Sequence, residues 1–488
     1  MTAPDSAEAT APVGDDATTD AAAGAFDDLD ALVSASDAPD ARWAEGDEHA
    51  TALTWIDAAA VADASPSADD ERGAALFSGA HLRPAVTRPG ILVPVGVLVA
   101  LVGAYTGTTL LWPLTEVAPK VQTVEFATTP AQAAAITWPA QGSAAVGIAG
   151  VGTLSSSTDP AAIASISKVV SAMMVLDRMP LAPGEQGPSF SFTKADSQSF
   201  LTYLRSDQSA LDVPVGGSLT EYQMLQGVLL GSANNYIDRL AKEIWGSDAA
   251  FADAAATWLS ERGLTGITIK SPSGFDERNV ATPEALIAVA EKAMQNPVFA
   301  EIVGTTSVDL PGAGTVRNTN GMMADAGVVG VKTGTLHESW NLLTAKDVKV
   351  GDTTLRLYAS VLTQDDDDMR LASTRSLFSQ VESELQAQAP TVPEGTVVGT
   401  VETLWGAAVD VVTDADADVV LWNGGAATTT VEFDLADKRK AGAEVGTLTT
   451  TGPLNTASTG LTLAAAVQEP SPWWRLTHPL ELFGLAER

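Results

Sequence analysis

Ser165-Ile166-Ser167-Lys168-Val169-Val170-Ser171-Ala172-Met173-Met174-Val175-Leu176 puts a hydroxyl and an amine three residues apart at the head of an apolar helical run. Positions i and i+3 share a helix face, so the Lys168 amine reaches the Ser165 hydroxyl. A serine at a helix start lies where backbone N–H groups point outward, which suits a developing oxyanion. Lysine acts as a base only when partly neutral. Burial and a nearby positive charge would make it so. The pair implies a serine nucleophile activated by lysine, working by acyl transfer.

Two further motifs follow in order. Ser232-Ala233-Asn234 falls between two helical stretches. The first opens with the capping pattern Ser218-Leu219-Thr220-Glu221 and runs to Leu230; the second starts near Asn235. A loop held between helices presents Ser232 and Asn234 to a cleft. Lys332-Thr333-Gly334-Thr335 follows the β-like run Gly327 to Val331. A strand edge there would add an extended peptide through main-chain hydrogen bonds. Lys332 would supply positive charge for a substrate carboxylate and help keep Lys168 neutral. Thr333 and Thr335 offer hydroxyls to the same carboxylate, and Gly334 lets backbone approach closely. The N–H groups of Thr335 and Ser165 would form an oxyanion hole.

The 488 residues suffice for two or three domains. Lys+Arg number 27 against Asp+Glu 61, for a net charge of −34, which argues against nucleic acid as a partner. There is no cysteine, which excludes disulfides, thiol catalysis and Cys-zinc sites. His49, His81, His337 and His478 are too scattered for a histidine metal cluster. No cofactor and no metal is expected.

Residues 1–88 are rich in Ala, Asp, Thr and Gly and poor in large apolar residues. Such a segment cannot offset chain entropy by burial, so a disordered acidic tail is expected. Short patches around Trp43 and Trp55 suit a transient helix at most. Ile91 to Leu114 carries no charge and is long enough to cross a bilayer. A transmembrane helix is expected over 89–115. Arg83 and Arg88 on its N-terminal flank place that flank in the cytoplasm, with the following chain outside. A cleaved signal peptide is the alternative. The long preceding region and the absence of a small-x-small site count against it.

A linker is expected over 116–135, with Pro119 and Pro130 inside it. From 136 to 390, Ala- and Leu-rich helical stretches alternate with β-branched runs, predicting a mixed α/β domain. Past Pro393, runs at Val397-Val398, Val409–Val412, Val419–Trp422, Thr429–Phe433 and Leu461–Leu463 predict a small all-β domain over 391–468. A tail, 469–488, follows.

The three motifs in this order resemble those of the penicillin-binding proteins and serine β-lactamases, above all the low-molecular-weight D-alanyl-D-alanine carboxypeptidases. TGITIKSPSGFD (265–276) and Val316 to Asn320 are also similar to carboxypeptidase segments. The resemblance covers about 136–390, 391–468 and the tail PSPWWRLTHPLELFG. It implies an αβα sandwich of the β-lactamase/transpeptidase-like type with a mainly antiparallel sheet, plus the small C-terminal all-β domain. It also implies catalytic roles for Ser165, Lys168 and Ser232, with Asn234, Lys332, Thr333, Gly334 and Thr335 binding substrate. Ser232 would relay a proton to the leaving amine, and Asn234 would bind the amide of the acyl side chain. The implied substrate is a peptidoglycan stem peptide ending in D-Ala-D-Ala, with β-lactams as inhibitors.

Two alternatives share the motifs. A β-lactamase of class A needs a glutamate in an E-x-x-L-N loop, and none lies between Asn234 and Lys332. A catalytically degenerate cell-wall binding or sensor protein would keep the fold, but here all three motifs are intact. Arg317 reads as structural or as a further carboxylate contact. No G-x-S-x-G elbow accompanies His337, so it reads as a rim or structural histidine. Trp473, Trp474, Leu476, Leu480 and Phe483 suit either a membrane surface or packing on the β domain.

Overall fold

The computed structural model describes residues 89–486, and the expected tail over 1–88 lies outside them. The chain divides into two units, 1–100 and 101–488. Helix α1, Pro89–Leu111, is long and apolar enough to cross a membrane by length and composition. Its side chains from Ile91 to Val102 are exposed. Within 116–135, strand β1 (Lys120–Thr123) forms, and Thr129 N–H donates to the Thr391 carbonyl at 2.8 Å.

The next domain is built on a five-stranded sheet of β2 (Ser143–Ile148), β3 (Gly152–Ser155), β4 (Val328–Leu336), β5 (Ser339–Val350) and β6 (Thr353–Gln364). The strand order is β4-β5-β6-β2-β3, and every pairing in this sheet is antiparallel. The helices are α2 (Ser167–Arg178), α3 (Lys194–Arg205), α4 (Glu221–Leu229), α5 (Asn234–Trp245), α6 (Asp248–Glu261), α7 (Pro283–Ala293), α8 (Pro297–Val303) and α9 (Asp367–Gln386).

The layers follow from the period of two along the strands. Leu343, Ala345, Tyr358 and Leu362 face one core with α2, α4, α5, α7 and α8. Leu342, Leu357, Ala359 and Val361 face the other with Leu377, Phe378, Val381 and Leu385 of α9. A two-sided sheet covered by helices on both faces is the expected αβα sandwich. β4 is an edge strand, so its outer rim is not covered by another strand of this sheet.

The C-terminal domain adds β7 (Val397–Glu402), β8 (Ala408–Thr413), β9 (Thr428–Phe433), β10 (Glu444–Thr451) and β11 (Thr456–Leu463). With β1 they form one antiparallel sheet, β1-β7-β8-β11-β10-β9, over a Val- and Leu-rich core.

Two local expectations differ from the structure. Val419–Trp422 is not a strand: Val420 and Trp422 are buried in the α9-side core, and Trp422 Nε1 donates to Glu384 Oε2 at 3.0 Å. An apolar run buried on its side chains needs no ladder when side-chain partners satisfy its polar atoms. The helix start near Ser218 shifts too. Ser218–Thr220 is a short strand, and the capping box is Thr220 with Gln223, because Gln223 lies three residues after the cap. In the tail, α10 (Pro472–Thr477) and α11 (Pro479–Leu482) pack near Trp112. Tyr105 Oη donates to the Leu476 carbonyl at 2.6 Å, and the Trp112 and Phe483 rings meet edge to face at 4.7 Å.

Candidate active site

Ser165 lies in a 3₁₀ turn, Ala164–Ile166, that runs into α2. Lys168 is fully buried in the first turn of α2, and its Nζ donates to Ser165 Oγ at 2.6 Å and to the Ser273 carbonyl at 2.6 Å. The turn is held from behind. Ser167 Oγ donates to the Ala164 carbonyl at 2.8 Å and accepts from Asn279 Nδ2 at 2.9 Å. Asn279 Oδ1 in turn accepts from the N–H groups of Lys270 and Ser271. Ala164 has φ +49°, a conformation an L-residue keeps only where surroundings enforce it. Gly274, at φ +81°, presses on it: a Cβ there would sit 2.0 Å from the Ala164 carbonyl oxygen.

The Lys332-Thr333-Gly334 segment lies in β4, in register with Leu343, Leu342 and Asn341 of β5. Gly334 brings β4 against the serine turn. A Cβ there would lie 2.5 Å from the Ile163 oxygen and 3.2 Å from the Ile166 nitrogen. Lys332 is buried, and its Nζ is 3.5 Å from Thr333 Oγ1. Burial and the Arg370 charge lower its pKa to about 7. Burial, and then the Lys332 charge, hold Lys168 well below the ordinary lysine range, while Asp238 pulls it the other way.

Ser232 sits between α4 and α5 at φ +59°, buried, and Asn234 begins α5. Asn234 Nδ2 donates to Gln208 Oε1 at 2.8 Å, leaving its buried Oδ1 without a protein partner. This loop reaches β4 through Thr319, whose N–H donates to the Leu230 carbonyl at 3.1 Å and whose Oγ1 is 2.7 Å from Thr333 Oγ1.

Four participants carry no motif signal. Arg370, on α9, is buried and donates to Thr335 Oγ1 at 3.2 Å, the Gly334 carbonyl at 3.4 Å and the Asn341 carbonyl at 3.1 Å. Asn279 and Gly274 lie in or just beyond the Thr265–Asp276 segment singled out above, and Thr319 lies in the segment before the KTG strand. A buried arginine on a distant helix leaves no local pattern to read. Arg317 is exposed on the strand Gly314–Arg317. His337, at φ +53° in the β4–β5 turn, is exposed and pairs with Glu277 Oε1 at 2.9 Å.

Residues 153–365, which contain all three motifs, match the family model of the peptidase S11 family, D-alanyl-D-alanine carboxypeptidase. The chain is similar to the D-alanyl-D-alanine carboxypeptidase DacB2 of Mycobacterium tuberculosis, 30% identical over 151 residues, or 30% of this chain and 47% of that protein. The chain thus spans about half the length of the curated relative it matches. Among solved structures, it is similar to the Streptomyces K15 DD-transpeptidase, with 23% identity over 51% of this chain and 100% of that one, at a TM-score of 0.44. A penicillin-binding protein homologue from Mycobacterium tuberculosis gives 23% identity over 53% of this chain and 97% of that one, at a TM-score of 0.45.

Proposed function

We propose that this chain is a serine-type D-alanyl-D-alanine carboxypeptidase that shortens peptidoglycan stem peptides and is acylated by β-lactams. The observation that carries the reading is the 2.6 Å contact from Lys168 Nζ to Ser165 Oγ, with Gly334 of an edge strand packed on the same turn. A buried lysine with a depressed pKa is a proton acceptor already in place.

In this reading the stem peptide lies along β4 as an added strand. Its terminal carboxylate meets Lys332, Thr333 and Thr335, the last held by Arg370. Ser165 Oγ attacks the carbonyl of the penultimate D-alanine while Lys168 takes the hydroxyl proton. The N–H groups of Ser165 and Thr335 stabilise the oxyanion. Collapse of the tetrahedral intermediate breaks the peptide bond, and Ser232 with Lys332 passes a proton to the departing D-alanine. Water then hydrolyses the ester and restores Ser165. Asn234 supports the reading with an unpartnered amide oxygen, which suits the N–H of the acyl side chain.

The same proposal places α1 across the cell membrane as a single anchor, with the N-terminus cytoplasmic and residues after Leu114 outside. Protease added to intact spheroplasts should digest the part after Leu114 and spare the N-terminal segment. The reverse pattern, or a mature N-terminus beyond residue 105, overturns the topology.

The reaction is tested by incubating the full-length protein with a D-Ala-D-Ala pentapeptide and, separately, with a fluorescent penicillin. D-alanine release and a long-lived adduct are expected, and Ser165→Ala should lose both. Rapid turnover of the penicillin would mark a β-lactamase instead. No adduct at all would mark a degenerate binding protein.

A further inference from the structure

Lys168 has two charged neighbours of opposite sign. Lys332 opposes its protonation, and Asp238 favours it. Asp238 is four residues after Asn234 on α5, one turn further along the same face. Its Oδ2 accepts from Tyr203 Oη on α3 at 3.0 Å. Asp238 lines a cavity of about 480 Å³ with Tyr203, Asp248 at the start of α6, Ser271 and Ser273. Ser273 lines the same cavity as Asp238, and its carbonyl accepts from Lys168 Nζ at 2.6 Å. The sequence motifs assign nothing to Asp238.

We propose that Asp238 is a positioning residue for Lys168: its carboxylate, in the cavity wall that also carries Ser273, whose carbonyl holds the amine, counters Lys332 and sets how strong a base the amine is. The proposal rests on the acyl-transfer reading above. A lysine stripped of water beside a second cation loses its proton easily, but it accepts one poorly for the same reason. A general base works best with its pKa near the working pH. An anion that opposes the Lys332 charge moves the amine back toward that range.

The groups around this pair all act in known directions. Burial raises Asp238 to about 6, the Tyr203 and Ser273 hydroxyls and the Lys168 charge pull it down, and Asp248 pushes it up. Asp238 is therefore ionised at neutral pH, where its charge acts on Lys168. The cavity that Asp238 lines gives that charge room for water.

The test is the rate constant for acylation by a penicillin, measured against pH on the full-length protein. Wild type is compared with Asp238→Asn, Asp238→Glu and Ser165→Ala. Without the anion, Lys168 stays neutral to lower pH, so Asp238→Asn should move the acid limb down by at least about 0.5 pH unit. It should also slow the plateau several-fold, because the base is weaker. Asp238→Glu keeps the charge and should restore the limb. A residue that served only packing would lower the rate by one factor at every pH and leave the limb where it was. That result, or an unchanged profile, overturns the proposal. If Asp238→Asn does not fold, Asp238→Ser, which keeps a hydroxyl for Tyr203, carries the same test. Acylation that persists in Ser165→Ala defeats the acyl-transfer reading itself. Ser165-dependent acylation with an unmoved limb defeats the role of Asp238 alone.

Discussion

The amine of Lys168 stands 2.6 Å from the hydroxyl of Ser165, with the lysine side chain shut away from solvent. In the proposed reaction this contact couples the nucleophile to its base before any substrate arrives. The remaining interactions at the site hold that contact in place or place charge around it.

Removing the base should cost nearly as much as removing the nucleophile. General-base help is typically worth about 10²- to 10⁴-fold, so Lys168→Ala should lose penicillin acylation on that scale. Lys168→Arg should do no better, since a guanidinium is always charged and cannot take a proton. Stopped-flow labelling measures both. A Lys168→Arg variant within tenfold of wild type would remove lysine from the mechanism.

In the proposed reaction Lys332 should give the pH profile an alkaline limb. Burial and the Arg370 charge lower its pKa to about 7, so its positive charge is present below that pH and lost above it. Attraction for a substrate carboxylate should weaken as pH rises through about 7, and kcat/KM for a D-Ala-D-Ala peptide should fall there. Lys332→Arg keeps a permanent charge and should flatten that limb. A limb that persists unchanged in Lys332→Arg belongs to another group.

Gly334→Ala tests the seating of the edge strand. The added Cβ would lie 2.5 Å from the Ile163 oxygen, a backbone atom that cannot rotate away. Either β4 or the serine turn must move, at about 1–3 kcal/mol. Acylation should fall at least about tenfold, since a tenfold loss corresponds to about 1.4 kcal/mol at the transition state. Circular dichroism should show the sheet intact. Full activity in this variant would mean the close approach is dispensable.

Glu221 is a liability separate from catalysis. It is fully buried, neither carboxylate oxygen has a protein partner, and burial raises its pKa to about 7. A carboxyl with its folded pKa above its unfolded value binds the proton more tightly when folded. Its favourable contribution is present below about 4.5 and is lost as pH rises to about 7. Glu221→Gln removes the charge and should stabilise the protein above pH 7, by roughly 2–3 kcal/mol. Below pH 4.5 it should change little. Thermal melts at both values decide it; equal melting temperatures at pH 8 would show that the carboxylate is solvated.

Much of the site was legible because its chemistry is local or ordered along the chain. Ser165 and Lys168 meet through helix geometry alone, and the Lys332-Thr333-Gly334 strand packs on the same turn at Gly334. The β texture past Pro393 was legible from turn formers and β-branched runs. Val419–Trp422 was not, because an apolar run reads the same whether it pairs in a ladder or fills a core from a loop. β1 was missed for the opposite reason: Lys120–Thr123 has little apolar signal and is a strand only because β7 offers an edge to pair with.

By itself, then, the sequence determined the Ser165–Lys168 pairing, the order of the motifs, the apolar span and the mixed α/β character of the domain. All of these depend on spacings of a few residues or on composition. Only the tertiary structure decided which face of the sheet each helix covers, that β4 is an edge, and that Gly334 and Gly274 press on the serine turn. It alone brought Asp238, Ser273, Asn279 and Arg370 to the site, from positions up to 205 residues after Ser165. Charge and hydrogen bonding act through space over a few ångströms, and chain separation carries no record of which distant groups folding will bring that close.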